Sequence, residues 1–142
     1  MEYQGLKIDV PRGWQDETIV SIAAPPAATS AMLLGQDQAS PANCQIERLH
    51  RATIKPEEAL RVRLEDLAEA LGAVREVSRT RRNGWLSCEI EVDAEDVFRQ
   101  GIYVRRFGRD LVIVSASARA STFERFRASF EATVDSIALK AA

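Results

Sequence analysis

Residues 83–118 read NGWLSCEIEVDAEDVFRQGIYVRRFGRDLVIVSASA, and they decide the fold class. Asn83-Gly84 is a strong two-residue hairpin signal, because the two central residues of such a turn need a left-handed backbone. After it, Leu86, Cys88, Ile90 and Val92 alternate with Ser87, Glu89 and Glu91, the period of a half-buried strand. Residues 97–107 form the next strand, Gly108-Arg109 turns the chain, and 110–118 return. From Leu111 onward this last strand is apolar on both faces, which predicts a central position. A two-residue turn at Gly108-Arg109 sets Val104 opposite Ile113, Ile102 opposite Ser115 and Gln100 opposite Ser117. On the other face it sets Tyr103 opposite Val114 and Gly101 opposite Ala116. A loop over 93–97 then puts Ile90 across from Gln100 and Glu91 across from Arg99, a cross-strand ion pair.

Working upstream, residues 74–80 read as a polar edge strand. Its arginines, with Arg81 and Arg82, suit an edge that must resist pairing with other sheets, and no stacking aromatics are interleaved with them as a nucleic-acid surface would need. Before it lies a helix over 56–71. Pro56 fits the first turn and Glu57 and Glu58 complement the helix dipole. Leu60, Leu64, Leu67 and Leu71 form one apolar stripe. Glu57–Arg61 and Arg61–Glu65 are spaced as i, i+4 pairs on the wet side, and Gly72 ends the helix. Further upstream, strands are expected over 3–10, about Glu17–Ala24, 31–35 and 43–49, with Trp14 plugging one edge of the core after the Pro11-Arg12-Gly13 break.

Downstream, a closing helix is expected over 121–139. Ser121 and Glu124 have capping-box spacing, and Phe123, Phe126, Phe130, Val134 and Ile137 form its buried stripe. Strands, helix, strands, helix with short turns predict an α+β fold, an antiparallel β-sheet packed by two α-helices, in a single domain spanning 1–142.

The composition is that of an ordinary globular protein, with 142 residues, 46% hydrophobic, 28% charged and a net charge of −2. A nucleic-acid binder would carry a basic excess. No apolar run is long enough to span a bilayer. Residues 1–10 lack the unbroken apolar stretch of an export signal, so a cytoplasmic protein is expected. Cys44 and Cys88 sit at apolar strand positions, far apart, and read as buried small hydrophobes. His50 is the sole histidine, so neither a histidine-based nucleophile nor a zinc site is expected. No phosphate-binding or nucleophile-elbow motif is present. The expectation is a non-enzyme without a cofactor.

Gln100 is an amide on an otherwise apolar strand face that also carries Ser115 and Ser117. Either Gln100 pairs with Ser117 inside an ordinary core, or the face is an open groove for an apolar helix. Both readings follow from the residues.

Pro11-Arg12-Gly13-Trp14-Gln15-Asp16-Glu17-Thr18 resembles the P-x-G-W-x-D-x-T opening of the DcrB-like family, and within it the Eag chaperones of bacterial type VI secretion. Phe98-Arg99-Gln100-Gly101-Ile102-Tyr103-Val104 resembles their RQxFV strand, and Leu111–Ser117 the strand after it. The resemblance implies a PsbP-like fold, a homodimer, and the task of shielding N-terminal transmembrane helices of a secreted toxin before it is loaded on the secretion spike. It implies a client-binding groove lined by Val20 and Ile22 of the second strand and by Gln100. Ile102 and Val104 share the Gln100 face and complete the expected wall. A second family glutamine, in the first helix, falls at Arg63 here, a departure that leaves the helix contribution open and points to a different client. The expected partners are the toxin effector, through it the spike protein, and a second copy of the chain; neither nucleic acid nor direct membrane insertion is expected. The reading from another class is a non-catalytic ligand-binding or accessory module on the same concave surface, and a third is a structural subunit of an envelope assembly.

Overall fold

The computed structural model describes residues 2–3, 6–9, 15–18, 21–23, 42–93 and 97–139. Trp14, Val20 and the strand expected over 31–35 lie outside the described residues. Among the described residues the elements follow in the order β1 Glu2–Tyr3, β2 Leu6–Lys7, β3 Gln15–Thr18, β4 Ser21–Ala23, β5 Ala42–Leu49, α1 Pro56–Leu71, β6 Val74–Arg82, β7 Trp85–Asp93, β8 Val97–Phe107, β9 Asp110–Arg119, α2 Phe123–Ser136 and β10 Ala138–Leu139. Seven strands form one sheet in the order β3-β4-β5-β9-β8-β7-β6, with every neighbouring pair antiparallel.

The turns act as their residues dictate. Asn83 at φ 52° and Gly84 at φ 85° make a turn with both central residues left-handed, which matches the twist of β6 and β7. Gly108 at φ 60° opens the β8–β9 turn. The register these turns impose is the one worked out above: Val104 faces Ile113, Ile102 faces Ser115, Gln100 faces Ser117 and Gly101 faces Ala116. Ile90 faces Gln100 and Glu91 faces Arg99, and that last pair closes as an ion pair at 2.6 Å.

The helices lie on opposite faces of the sheet. The α2 face buries Cys44, Ile46, Tyr103, Val112, Val114 and Ala116 beneath Phe123, Phe130 and Val134. The α1 face buries Cys88, Ile90, Ile102, Val104, Leu111 and Ile113 against Ala59 and Leu60. A fully buried Leu or Phe contributes roughly 1.5–3 kcal/mol relative to exposure, so these two layers hold the sheet between them. The two cysteines fall on opposite faces and remain free thiols.

Five expectations need correction. The strand expected over Glu17–Ala24 is two short strands, β3 and β4, paired antiparallel with a bulge between Asp16 and Thr18. The strand expected over 3–10 is divided, and its β2 part pairs with β1 and with β10 at the chain's far end. The Ser121–Glu124 capping box does not form: Thr122 is the N-cap of α2 without a side-chain cap bond, and Glu124 pairs with Arg127 instead. The helix stops at Ser136, because residues 138–139 gain a strand partner in β2. Finally, Arg61 takes Glu58 and Glu65 as partners, while Glu57 reaches Arg81 on β6. A cross-element partner for Glu57 leaves Arg61 to the carboxylate one turn away. The other edge arginines are paired too: Arg75 with Glu91, Arg79 with Glu76 and Arg82 with Asp135. Their charges are answered within the fold.

Candidate functional site

The α1 face is closed at one end and loose at the other. Along the stripe of α1, Leu60 is 0% exposed and Leu71 is 51% exposed, with Leu64 and Leu67 half-buried between them. The helix starts tight on Ile102, Val104, Leu111 and Ile113. Its far end is tied to the sheet by the backbone N–H of Asp93, which donates to the carbonyl of Ala73 at 3.0 Å. Phe98, opposite Val92 at that end, is 40% exposed.

Next to this loose end, period-2 alternation puts Gln100 of β8, Ser115 and Ser117 of β9 and Asn43 and Gln45 of β5 on the α1 side of the sheet. Ser115 is buried, Gln100, Ser117 and Asn43 are half-buried, and Gln45 is exposed. The Ser117 hydroxyl donates to the Asn43 side-chain oxygen at 3.0 Å. Gln100 therefore does not take Ser117 as its side-chain partner. Among the described residues the Gln100 carboxamide makes no hydrogen bond, leaving two donors and an acceptor for water or for another molecule. Arg63 bounds the strip: one terminal nitrogen donates to both carboxylate oxygens of Glu47, at 2.8 and 2.7 Å, tying α1 across β9 to β5.

The five residues expected to line one groove are dispersed. Gln100 is on the strip. Ile102 and Val104 share its face but are 0% and 1% exposed in the core beneath α1. Ile22 takes the backbone position opposite Cys44, in the row of the α2 face. Val20 lies outside the described residues. What the sequence reading missed is Asn43 and the Arg63–Glu47 tie. Asn43 was visible as an amide on β5, with Gln45, but its match to Ser117 needed the β5–β9 register, which no short turn sets.

The strip offers hydrogen-bonding amides and hydroxyls beside apolar side chains. Burial pushes the Cys44 thiol up to about 12 and the Cys88 thiol to about 11, so neither offers a thiolate. His50 Nδ1 stands 3.4 Å from Asp110, and no nucleophile accompanies the pair among the described interactions. No group of three or more metal-ligating side chains occurs among the described residues, and no helix there is long and apolar enough to cross a membrane.

No protein-family model matches the sequence, and no curated protein matches it. Solved structures do match. The Ran-binding protein Mog1p of Saccharomyces cerevisiae superposes with a TM-score of 0.65 over 95% of this chain and 90% of that one, at 11% identity. Cyanobacterial PsbP (CyanoP) from Synechocystis sp. PCC 6803 gives 0.61 over 95% and 86%, at 11% identity. The fold is Mog1/PsbP-like. LpqN, involved in cell envelope biogenesis of Mycobacterium tuberculosis, shares it with a TM-score of 0.60 over 96% of this chain and 83% of that one, at 12% identity. At such identities the likeness is one of fold. In this Mog1/PsbP-like sheet the strip beside α1 is set by the chain's own side chains, and its function is read from them.

Proposed function

We propose that this chain is a cytoplasmic chaperone of the Eag type, which holds an N-terminal transmembrane helix of a type VI secretion effector until the effector is loaded on its spike, and which works as a homodimer. The observation that carries the reading is the Gln100 carboxamide, half-buried and without a side-chain partner among the described residues, two residues from the exposed Phe98 in the same β8 row, on the face that α1 covers. A transmembrane helix rich in small residues exposes backbone carbonyls and hydroxyls. An amide can donate to the first and accept from the second. Leucine and phenylalanine side chains then cover the apolar remainder, as a neighbouring membrane helix would. The Mog1/PsbP-like fold supports the resemblance to that family at the level of architecture.

The contact surface is revised accordingly. It consists of Gln100, Ser117, Asn43, Leu67, Leu71 and Phe98, while Ile102 and Val104 form the floor's support. Arg63 is engaged with Glu47, so it closes one side of the strip instead of supplying an amide. The test is co-purification with a co-expressed apolar segment of about 20 residues, enough to span a bilayer, patterned with Gly, Ala and Ser. A hydrogen bond of this kind is worth about 0.6–2 kcal/mol, so Gln100→Ala is expected to weaken capture roughly 3- to 30-fold while leaving the melting temperature unchanged. Normal capture with a lowered melting temperature would make Gln100 a core residue and end the proposal. Capture of small amphiphiles but not of the segment would favour the ligand-binding reading.

A further inference from the structure

Charge is segregated in this chain. Residues 48–55 and 105–110 hold six cations, Arg48, Arg51, Lys55, Arg105, Arg106 and Arg109, against one carboxylate, Asp110, although the chain as a whole carries −2. The fold brings both segments to one end of the sheet. Leu49 and Arg106 both face Leu111, from either side of β9. Arg106 donates to the carbonyl of Ala52 at 2.9 Å and to that of Ile54. Asp110 is fully engaged in shaping the loop: it accepts from Arg48 Nε and from the backbone N–H of Arg51, each at 2.8 Å. Arg51 is held there at φ 52°, a left-handed backbone that is rare outside glycine and asparagine.

Together Arg51, Ala52, Thr53, Arg106, Gly108 and Arg109 line a cleft of ≈ 340 Å³, with no acidic side chain in its wall among the described residues. The contrast with the rest of the molecule is sharp. Every arginine of α1 and β6 is ion-paired with a carboxylate. Among the described residues the Arg51 and Arg109 guanidiniums have no such partner, Arg106 has only carbonyls, and Arg105 stacks 4.8 Å over Phe107. Arg106 is thus pre-positioned with its charge unanswered, and Arg51 is presented by a backbone conformation that Asp110 stabilises. Arg51 and Arg109 add guanidinium forks without a carboxylate partner among the described residues, and such planar forks favour carboxylates.

We propose that this cleft docks a carboxylate-rich segment of a partner protein, at a surface separate from the Gln100 strip. A short acidic peptide fits the observations better than nucleic acid. The positive potential reaches only about a Debye length, roughly 8–10 Å, beyond which the surface of an acidic protein of pI ≈ 5.5 takes over. A short segment stays within that range, whereas a phosphate backbone, with a charge every few ångströms, runs on past it.

The experiment titrates the full chain with a short polyglutamate peptide at low ionic strength, by calorimetry. Polyglutamine, inorganic phosphate and a single-stranded oligonucleotide serve as parallel probes. Polyglutamate is expected to bind and polyglutamine not to. Arg109→Glu, on an exposed turn, should weaken binding roughly tenfold, the loss of a charge-assisted hydrogen bond. Arg51→Asn, which keeps the left-handed backbone accessible, should weaken it in the same sense. Arg81→Glu makes the same charge change on the edge strand and should alter binding less than about twofold. Equal losses from Arg81→Glu and Arg109→Glu would reduce the effect to net charge and overturn the site. Absence of polyglutamate binding, or tighter binding of phosphate or oligonucleotide, would overturn it as well.

Discussion

The gradient of burial along α1 makes a quantitative demand on two leucines of the same stripe. Leu60 is 0% exposed and packs with Ile102, Val104 and Ile113, while Leu71 is 51% exposed. Leu60→Ala removes buried methyl groups and leaves a cavity that two β-rows and a helix cannot collapse into, a loss of about 2–5 kcal/mol. Leu71→Ala removes a side chain that has already surrendered half its surface to water. At the roughly 1.5–3 kcal/mol for full burial of such a side chain, its cost is about 0.7–1.5 kcal/mol. For a domain of this size each kcal/mol moves the melting temperature by about 3–4 °C. Leu60→Ala should therefore melt about 6–20 °C lower and Leu71→Ala about 2–6 °C lower. Differential scanning calorimetry measures both. Capture of the apolar segment should show the reverse dependence at the permissive temperature, with Leu71→Ala losing most of it. Equal melting losses would mean that α1 is seated along its whole length, and the loose end on which the client site depends would not exist.

Gly101 lies under the Tyr103 ring, where an added Cβ would stand 3.0 Å from the hydroxyl and 3.1–3.2 Å from ring carbons; since Tyr103 is 2% exposed, Gly101→Val should cost about 1–3 kcal/mol by overpacking, read by urea denaturation. Cys44 and Cys88, with thiols raised by burial to about 12 and about 11, should resist a thiol reagent at neutral pH in the native state and both react in denaturant; fast native labelling of either would contradict the packing. The Asp110 carboxyl is held below its ordinary 3.8, first by the Arg51 backbone N–H and then by Arg48, with His50 also facing it. A depressed folded value means that this stabilisation is present above pH 3.8 and fades as pH falls through the lower folded value. Asp110→Asn should accordingly be less stable than the parent at neutral pH and show a shallower loss of stability on acidification. Light scattering should return a mass near twice 15.7 kDa for the proposed homodimer, and a monomer mass at micromolar concentration would remove that part of the proposal.

Local patterns determined a great deal. Asn83-Gly84 and Gly108-Arg109 are turns whose backbone demands are written in their residue types, and each carries its register into the strands beside it, so the pairing from Leu86 to Ser117 was legible residue by residue. The leucine stripe determined α1 from Pro56 to Leu71, with Gly72 at its end. The faces were not legible. Central strands such as β9 are apolar on both sides, so a period-2 pattern says which residues share a row and nothing about which helix will lie on it. That choice was made by packing: α2 settled over the Gly101–Ala116 row, and α1 over Ile102 and Val104. It turned two expected groove residues into core and left Gln100 at the open margin. β5 is joined to its sheet neighbours through long connections, so only the folded sheet could set Asn43 against Ser117 or bring Arg51 beside Arg106 and Arg109. Contacts between residues close in the chain follow from the turn and helix geometry that joins them. Contacts across the sheet depend on how every intervening layer packs, and tertiary structure alone decides them.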